Sequence, residues 1–139
     1  MAIPSASDVS KDLQVKSFPV TRSMTTGTDR AFVIPKNARI MYFVLSGTAS
    51  DAGTSATLSV GTTSGTPVEY VNALDVKTAA TGSGVGVLRG VTAAVGNKLT
   101  SDTTVYVKIT EVGGASTVGS WWLDVMYVTD SSSQTGIYQ

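Results

Sequence analysis

Residues 31–63 read AFVIPKNARIMYFVLSGTASDAGTSATLSVGTT, and this stretch contains three strand patterns separated by turns. A short apolar run ends at PKN, residues 35–37, and a much longer apolar run follows over 38–45. After a polar loop, residues 56–60 alternate apolar with small polar side chains. That alternation is typical of a strand with one buried face. The stretch therefore predicts antiparallel strands joined by short connections.

The long apolar run lacks the alternation of a half-exposed strand. Every residue from Ile40 to Leu45 is apolar or aromatic, so both faces of this strand should be covered. One face would meet an opposite sheet, and the other a loop, an arm or a neighbouring subunit. Met41 and Phe43 are therefore candidate interface residues. A strand buried on both sides within one chain is the alternative.

Further strand patterns flank this stretch on both sides. They cover residues 13–18, which Pro19 limits to an edge or an end, and then 85–91, 104–111 and 118–128. About eight strands separated by turn signals predict an all-β fold, an antiparallel two-sheet sandwich of the jelly-roll kind. The predicted core between the sheets consists of Leu58, Val60, Val107, Ile109 and Leu123.

One short segment carries a helix signal. Thr66, Pro67 and Glu69 match a capping box with proline at the first helical position, which predicts a short helix over 67–76. An irregular strand is the alternative, because Val68, Tyr70 and Val71 also suit a sheet.

The termini differ in composition from the rest of the chain. Residues 1–11 are small and polar and are predicted to form an extended arm, with Ile3 as its apolar contact. Residues 12–128 form the predicted sandwich domain. Residues 129–139 are serine-rich and are predicted to be a mobile tail that contains Tyr138.

Composition argues against several functional classes. The 139-residue chain balances 10 Lys and Arg against 10 Asp and Glu and has no basic run, which disfavours nucleic acid as a partner. It contains neither cysteine nor histidine, so the commonest metal ligands and the commonest general base are missing. The N-terminus lacks the apolar core of a signal peptide, and no stretch is long enough to span a membrane. We expect no cofactor and no metal.

Catalysis finds little support in the remaining motifs. Glu111 and Asp124 could face each other as a glycosidase pair, but solvent-facing positions in alternating strands are the better interpretation. The glycine-rich run 82–86 lacks the lysine and the following helix of a phosphate loop. Asp51 and Asp102 read as turn residues rather than cation ligands. The chain is predicted not to be an enzyme.

Adjacent tryptophans indicate an interaction surface instead. Trp121 and Trp122 are neighbours in a strand and must point to opposite faces, so one of them cannot share the other's core. Tryptophan is enriched at interfaces, and Met126 lies on the same face as Trp122. The predicted interface residues are Ile3, Met41, Phe43, Trp122, Met126 and Tyr138.

Four runs, AFVIPKNARI, SATLSVGTTSGT, LTSDTTVYVKIT and WWLDVMYV, give the sequence a resemblance to a known family. Over residues 30–128 it resembles the small β-sandwich capsid cement (decoration) proteins of tailed bacteriophages and the related head-fibre bases. The resemblance implies a jelly-roll-like virion protein on the outer capsid surface, made in the host cytoplasm. It also implies that the partners are the major capsid protein and further copies of the chain itself, as a dimer or trimer. No family catalytic residue exists to carry over.

The function expected from this resemblance is a structural one, in which the protein bridges capsid subunits and stabilises the shell. The alternative is a carbohydrate- or receptor-binding module of a phage fibre or baseplate. A glycan site would need an exposed aromatic platform beside polar loops, for which Trp122 with Tyr106 or Tyr138 is the candidate set.

Overall fold

The structure is a computed structural model of the chain. It describes residues 11–48, 50–51, 53–77, 87–88, 98–114 and 116–130. Ile3, Tyr138 and most of the predicted strand 85–91 lie outside the described residues.

Eight strands occupy most of the described chain. They are β1 (Lys11–Thr21), β2 (Asp29–Ile34), β3 (Ala38–Thr48), β4 (Ser55–Gly61), β5 (Val71–Asp75), β6 (Val87–Leu88), β7 (Thr103–Val112) and β8 (Ser120–Asp130). The first sheet has the order β1-β8-β3-β6 and the second has the order β2-β7-β4-β5. All the pairings are antiparallel. This strand order is that of a jelly roll, so the predicted all-β sandwich is confirmed.

Strand pairing reaches slightly beyond the predicted domain bounds of 12–128. Lys11, assigned to the arm, pairs with Asp130, assigned to the tail. β1 lies at one end of the first sheet, which is the edge position that Pro19 predicts.

The core lies between the two sheets and follows from the alternation in the strands. Leu58, Val60, Val107, Ile109 and Leu123 are all completely buried in one apolar cluster, as predicted. Leu58 and Ile109 are register partners on β4 and β7. Burial of such side chains stabilises the fold by roughly 1.5–3 kcal/mol each relative to full exposure.

A β-bulge explains the uninterrupted apolar run in β3. Ile40 pairs with Tyr127 and Tyr42 with the next residue of β8, Met126, so Met41 is an extra residue in the ladder. An extra residue reverses the alternation, because side chains otherwise change face at every step. Ile40 and Phe43 consequently both point into the core.

The bulge corrects one predicted interface residue. Phe43 is fully buried, and its ring centroid lies 5.6 Å from that of Tyr70. It is a core residue and is not exposed to a partner. Met41, in contrast, is 46% exposed.

The predicted helix over 67–76 is wrong, and the strand alternative is right. Glu69 does not cap a helix: one of its carboxylate oxygens accepts hydrogen bonds from the backbone N–H groups of Thr62 (2.9 Å) and Val68 (3.1 Å). These bonds order the loop that leads to β5. A capping-box pattern and a loop clamp use the same residue types, so the sequence alone does not separate them.

Pairing with β4 then holds β5 as an irregular strand. Val71 and Leu74 pair with Val60 and Leu58 across a register shift. Between them, Ala73 adopts a positive φ of 52°, and its N–H donates to the hydroxyl of Ser59 at 3.0 Å. Tertiary pairing thus overrides the local helix signal.

Trp121 is the buried tryptophan because it alternates in register with the buried Leu123 and Val125, and two glycines lie close against it. Gly47 is its register partner, and a Cβ there would lie 2.2 Å from the carbonyl oxygen of Ser120. A Cβ on Gly119 would lie 2.7 Å from the indole ring. Trp121 is only 2% exposed, and its indole N–H has no hydrogen-bond partner among the described residues.

Candidate interaction face

Three long strands of the first sheet present a face that points away from the second sheet. We call this the outer face. Its members are Leu13, Val15, Ser17 and Pro19 of β1, Trp122, Asp124, Met126 and Val128 of β8, and Arg39, Met41, Tyr42, Val44 and Ser46 of β3. Strand pairing aligns them in rows, for example Val15, Met126 and Tyr42.

The outer face is mostly apolar and accessible to solvent. Leu13 is 61% exposed, Val15 52% and Trp122 54%. With Met41, these make up half of the eight exposed large apolar side chains in the described part of the chain. A contiguous exposed apolar patch of this kind marks an interaction site more often than chance.

The residues beside Trp122 on the outer face are too small to cover its indole. Its register partners are Pro19 on β1 and Ser46 on β3, both of which are small. Neither can cover an indole, and the side chain remains 54% exposed. Trp122 is therefore available as an anchor for a partner.

Three of the six predicted interface residues lie together on the outer face. Trp122 and Met126 are four residues apart on β8, and Met41 lies at the bulge beside Tyr42, the register partner of Met126. Phe43 lies in the core, as described above, and the predictions for Ile3 and Tyr138 fall outside the described residues.

Leu13 and Val15 belong to the face but were missed as interface residues. The alternating polar residues of β1, Gln14 and Lys16, lie on the face that is turned towards the second sheet. Lys16 donates to the carbonyl of Val33 at 2.8 Å, and the Tyr127 hydroxyl donates to Gln14 at 3.1 Å. Only the pairing of Leu13 and Val15 with β8 reveals their position.

The two carboxylates considered as a catalytic pair are kept apart. Asp124 lies on the outer face of the first sheet. Glu111 lies in β7 of the second sheet, on the same inward face of the strand as Val107 and Ile109. The first sheet itself therefore separates them. Glu111 accepts hydrogen bonds from the Ser50 hydroxyl at 3.3 Å and from the backbone and side chain of Ser116.

Glu111 consequently acts as a loop anchor. Partial burial acts to raise its pKa, but hydrogen bonds from Ser116 and Ser50 and the charge of Arg22 lower the pKa below the ordinary value overall. A carboxyl with a lowered pKa is unsuited to be the general acid of a glycosidase at neutral pH.

Asp51 and Asp102 are loop residues that hold backbone groups. Asp102 accepts from the N–H of Lys36 at 2.9 Å. Asp51 accepts from the N–H of Thr117 (2.7 Å), the Thr117 hydroxyl (2.6 Å) and the N–H of Val118 (3.0 Å). The Thr117 hydroxyl and these N–H groups lower the pKa of Asp51 to about 2. Asp51 thereby ties the loop after β3 to the segment before β8.

The hydrogen bonds of the Asp51 carboxylate predict that the protein loses stability in acid. A pKa lowered by folding contributes stability that is present above about pH 4 and is lost as the pH falls towards 2. We expect Asp51→Asn to be less stable than the wild type at pH 7, with a difference that shrinks between pH 4 and pH 2. Thermal melting at pH 7, 4, 3 and 2 measures the difference, with Asp29→Asn as the control. A difference that stays constant across this range contradicts the prediction.

A pocket of about 380 Å³ opens elsewhere on the surface. It is lined by Thr25, Lys108, Ile109, Thr110, Glu111 and Gly114 and has no aromatic platform. Trp122 and Tyr106, the candidate glycan-binding pair, lie on β8 and β7 in different sheets. The structure therefore does not bring these two residues together.

Two kinds of site are absent from the described residues. No three acidic side chains there converge on a point where a metal ion would bind. Those residues include no helix that is long and apolar enough to cross a membrane.

Comparison with solved structures finds the same fold in a chain of the "Cyanophage Pam1 capsid asymmetric unit". The TM-score is 0.63 at 22% sequence identity, over 93% of this chain and 92% of that chain. Since nearly equal shares are matched, the two chains are similar in length. At this identity the likeness establishes the fold alone. The sequence matches no protein-family model and no curated protein.

Proposed function

We propose that the chain is a virion structural protein, a capsid cement or decoration protein that binds the outer surface of a tailed-phage head. The observation that carries the proposal is the exposed apolar outer face of the jelly roll. Two further points support it: the sequence resembles this class of protein, and a chain of a cyanophage capsid structure has the same fold.

The proposed mechanism is adhesive. Covering the outer face removes Leu13, Val15, Met41 and Trp122 from water, and burial of apolar surface stabilises a complex by about 25 cal/mol per Å² before the cost of association. A body that touches two capsid subunits at once must lose those contacts before the subunits separate. The shell is thereby braced without any chemical step.

The proposal places the protein on the capsid surface of the virion after synthesis in the host cytoplasm. Its partners are the major capsid protein and, as a dimer or trimer, further copies of itself. Neither nucleic acid nor membrane belongs to the proposed role. The protein is not proposed to be an enzyme.

Binding to particles tests the proposal. Purified protein is added to particles of the source phage prepared without it, and bound copies are counted by gel densitometry against protein concentration. We expect wild-type binding to saturate at a fixed number of copies per particle. Trp122→Ser should weaken binding about 30-fold, because loss of a tryptophan anchor buried in an interface typically costs at least about 2 kcal/mol.

The matched control is Val33→Ser. Val33 is 44% exposed, but it lies on β2 of the second sheet, so this change should leave binding unaltered. A wild-type protein that does not bind the particles, or that binds without saturating, contradicts the proposed function.

A further inference from the structure

Asp124 is the one acidic side chain among the residues that define the outer face. It lies on β8, the middle strand of the three, with Trp122 and Met126 two residues away on either side. Its register partners are Ser17 and Val44, and its side chain is already half-buried. The carboxylate thus lies near the centre of a mostly apolar surface.

Any partner that covers this face takes Asp124 out of water. A carboxylate desolvated without a partner group destabilises an interface strongly, and the flanking Ser17 hydroxyl is neutral. A cationic donor opposite the carboxylate offsets that cost with a charge-assisted hydrogen bond. The partner surface must therefore be apolar with a positive charge near its centre.

A second copy packed about a two-fold axis at Asp124 does not meet this requirement, because Arg39, the one basic member of the outer face, lies two rows away beside Val128. In a two-fold symmetric pair, residues near the axis meet their own counterparts. Two outer faces packed about a central axis would bring Asp124 close to the Asp124 of the other copy, and like charges in a desolvated interface repel. The central position of the carboxylate thus disfavours this face as a symmetric dimer contact.

We propose that the outer face docks on the capsid shell, and that the shell surface presents an apolar patch with a Lys or Arg side chain opposite Asp124. This inference rests on the proposed function and adds to it the chemistry of the partner. Trp122 and Met126 supply the apolar contact on either side, and Asp124 selects the position by charge. A shell site that lacks the cation leaves the carboxylate unpaired and is rejected.

The particle-binding assay tests this with charge variants. Asp124→Asn removes the charge while keeping the size, and Asp124→Lys reverses it. We expect Asp124→Asn to bind at least about 30-fold more weakly, since loss of one member of a buried charge pair costs about 2–5 kcal/mol. Asp124→Lys should bind more weakly still. Asp29→Lys, a change of the same kind on β2, should bind like the wild type.

The outcomes separate this inference from the function it rests on. Wild-type binding that Asp124→Asn and Asp124→Lys leave unchanged or improve overturns the charge pairing and leaves the proposed function standing. Failure of the wild type to bind overturns both. Sedimentation of the free protein tests the alternative that a second copy of the chain binds the outer face. If the wild type forms an oligomer that Asp124→Lys dissociates, the face belongs to that copy and the inference is overturned. Melting midpoints near the wild-type value show that each variant is folded.

Discussion

Ile109→Ala is expected to lower the free energy of unfolding by about 2–5 kcal/mol, because truncation of a buried isoleucine loses its transfer energy and leaves a cavity. Ile109 is completely buried and pairs with Leu58 at the centre of the second sheet. Its neighbours are held by strand pairing on both sides, since β7 lies between β2 and β4. The cavity therefore cannot collapse easily.

Chemical denaturation monitored by tryptophan fluorescence measures this effect. The matched control is Val112→Ala in the same strand, where the side chain is 51% exposed and the change should stay within about 0.5 kcal/mol. Equal stability of the two variants would show that the assigned facing of β7 is wrong.

The facing of β7 was predictable because its sequence alternates without interruption. Val105, Val107 and Ile109 are all buried, and the intervening residues are not. A two-residue period read from the sequence is a direct consequence of strand geometry, so it survives folding wherever no residue is inserted. The same reasoning correctly identified Leu58, Val60 and Leu123 as core residues.

The bulge in β3 was not predictable from the same kind of pattern. In an uninterrupted apolar run the sequence does not show which side chains face the core. It therefore did not show that Met41 is an extra residue. Phe43 was therefore assigned to an interface although it lies in the core. Pairing with β8 decides which residues of β3 face the core, and β8 lies some 80 residues further along the chain.

The candidate face was predicted in part. Adjacent tryptophans must point to opposite faces, so the pattern predicts one exposed indole but does not itself distinguish Trp122, the predicted interface residue, from Trp121. Gly47 and Gly119 make room for Trp121, and that choice depends on contacts between strands. Leu13 and Val15 were missed because an edge strand with Lys16 on its other face gave no clear direction.

The size of the outer face bears on how the protein is held. Three strands about 4.8 Å apart, over about eight residues each, cover roughly 400 Å² of flat sheet, or about 800 Å² over both partners. Stable biological interfaces generally bury more than about 1,000 Å². Docking through this face alone should therefore be weak, and a second attachment would be needed for stable occupancy.

We expect residues 1–10 to supply that attachment. The segment is joined to Lys11, which pairs with Asp130 two residues from the Leu13 and Val128 row of the outer face. Ten residues reach about 33 Å when extended, about the length of an eleven-residue strand. The segment is too polar to build a core of its own, but Ile3 offers an apolar contact.

Deletion of residues 2–10 should leave the domain folded and weaken binding to particles about 10²-fold or more. A contact tethered to an already docked body acts at a high effective concentration, and its loss removes a factor of about 10²–10⁴ in avidity. The assay adds the truncated protein at limiting concentration to particles prepared without it and counts bound copies. A variant with Ile3→Ser in the full-length chain keeps the tether and isolates the apolar contact. We expect it to bind between the wild type and the deletion. Occupancy of the truncated protein equal to the wild type would instead show that the sandwich surface alone holds the protein on the shell.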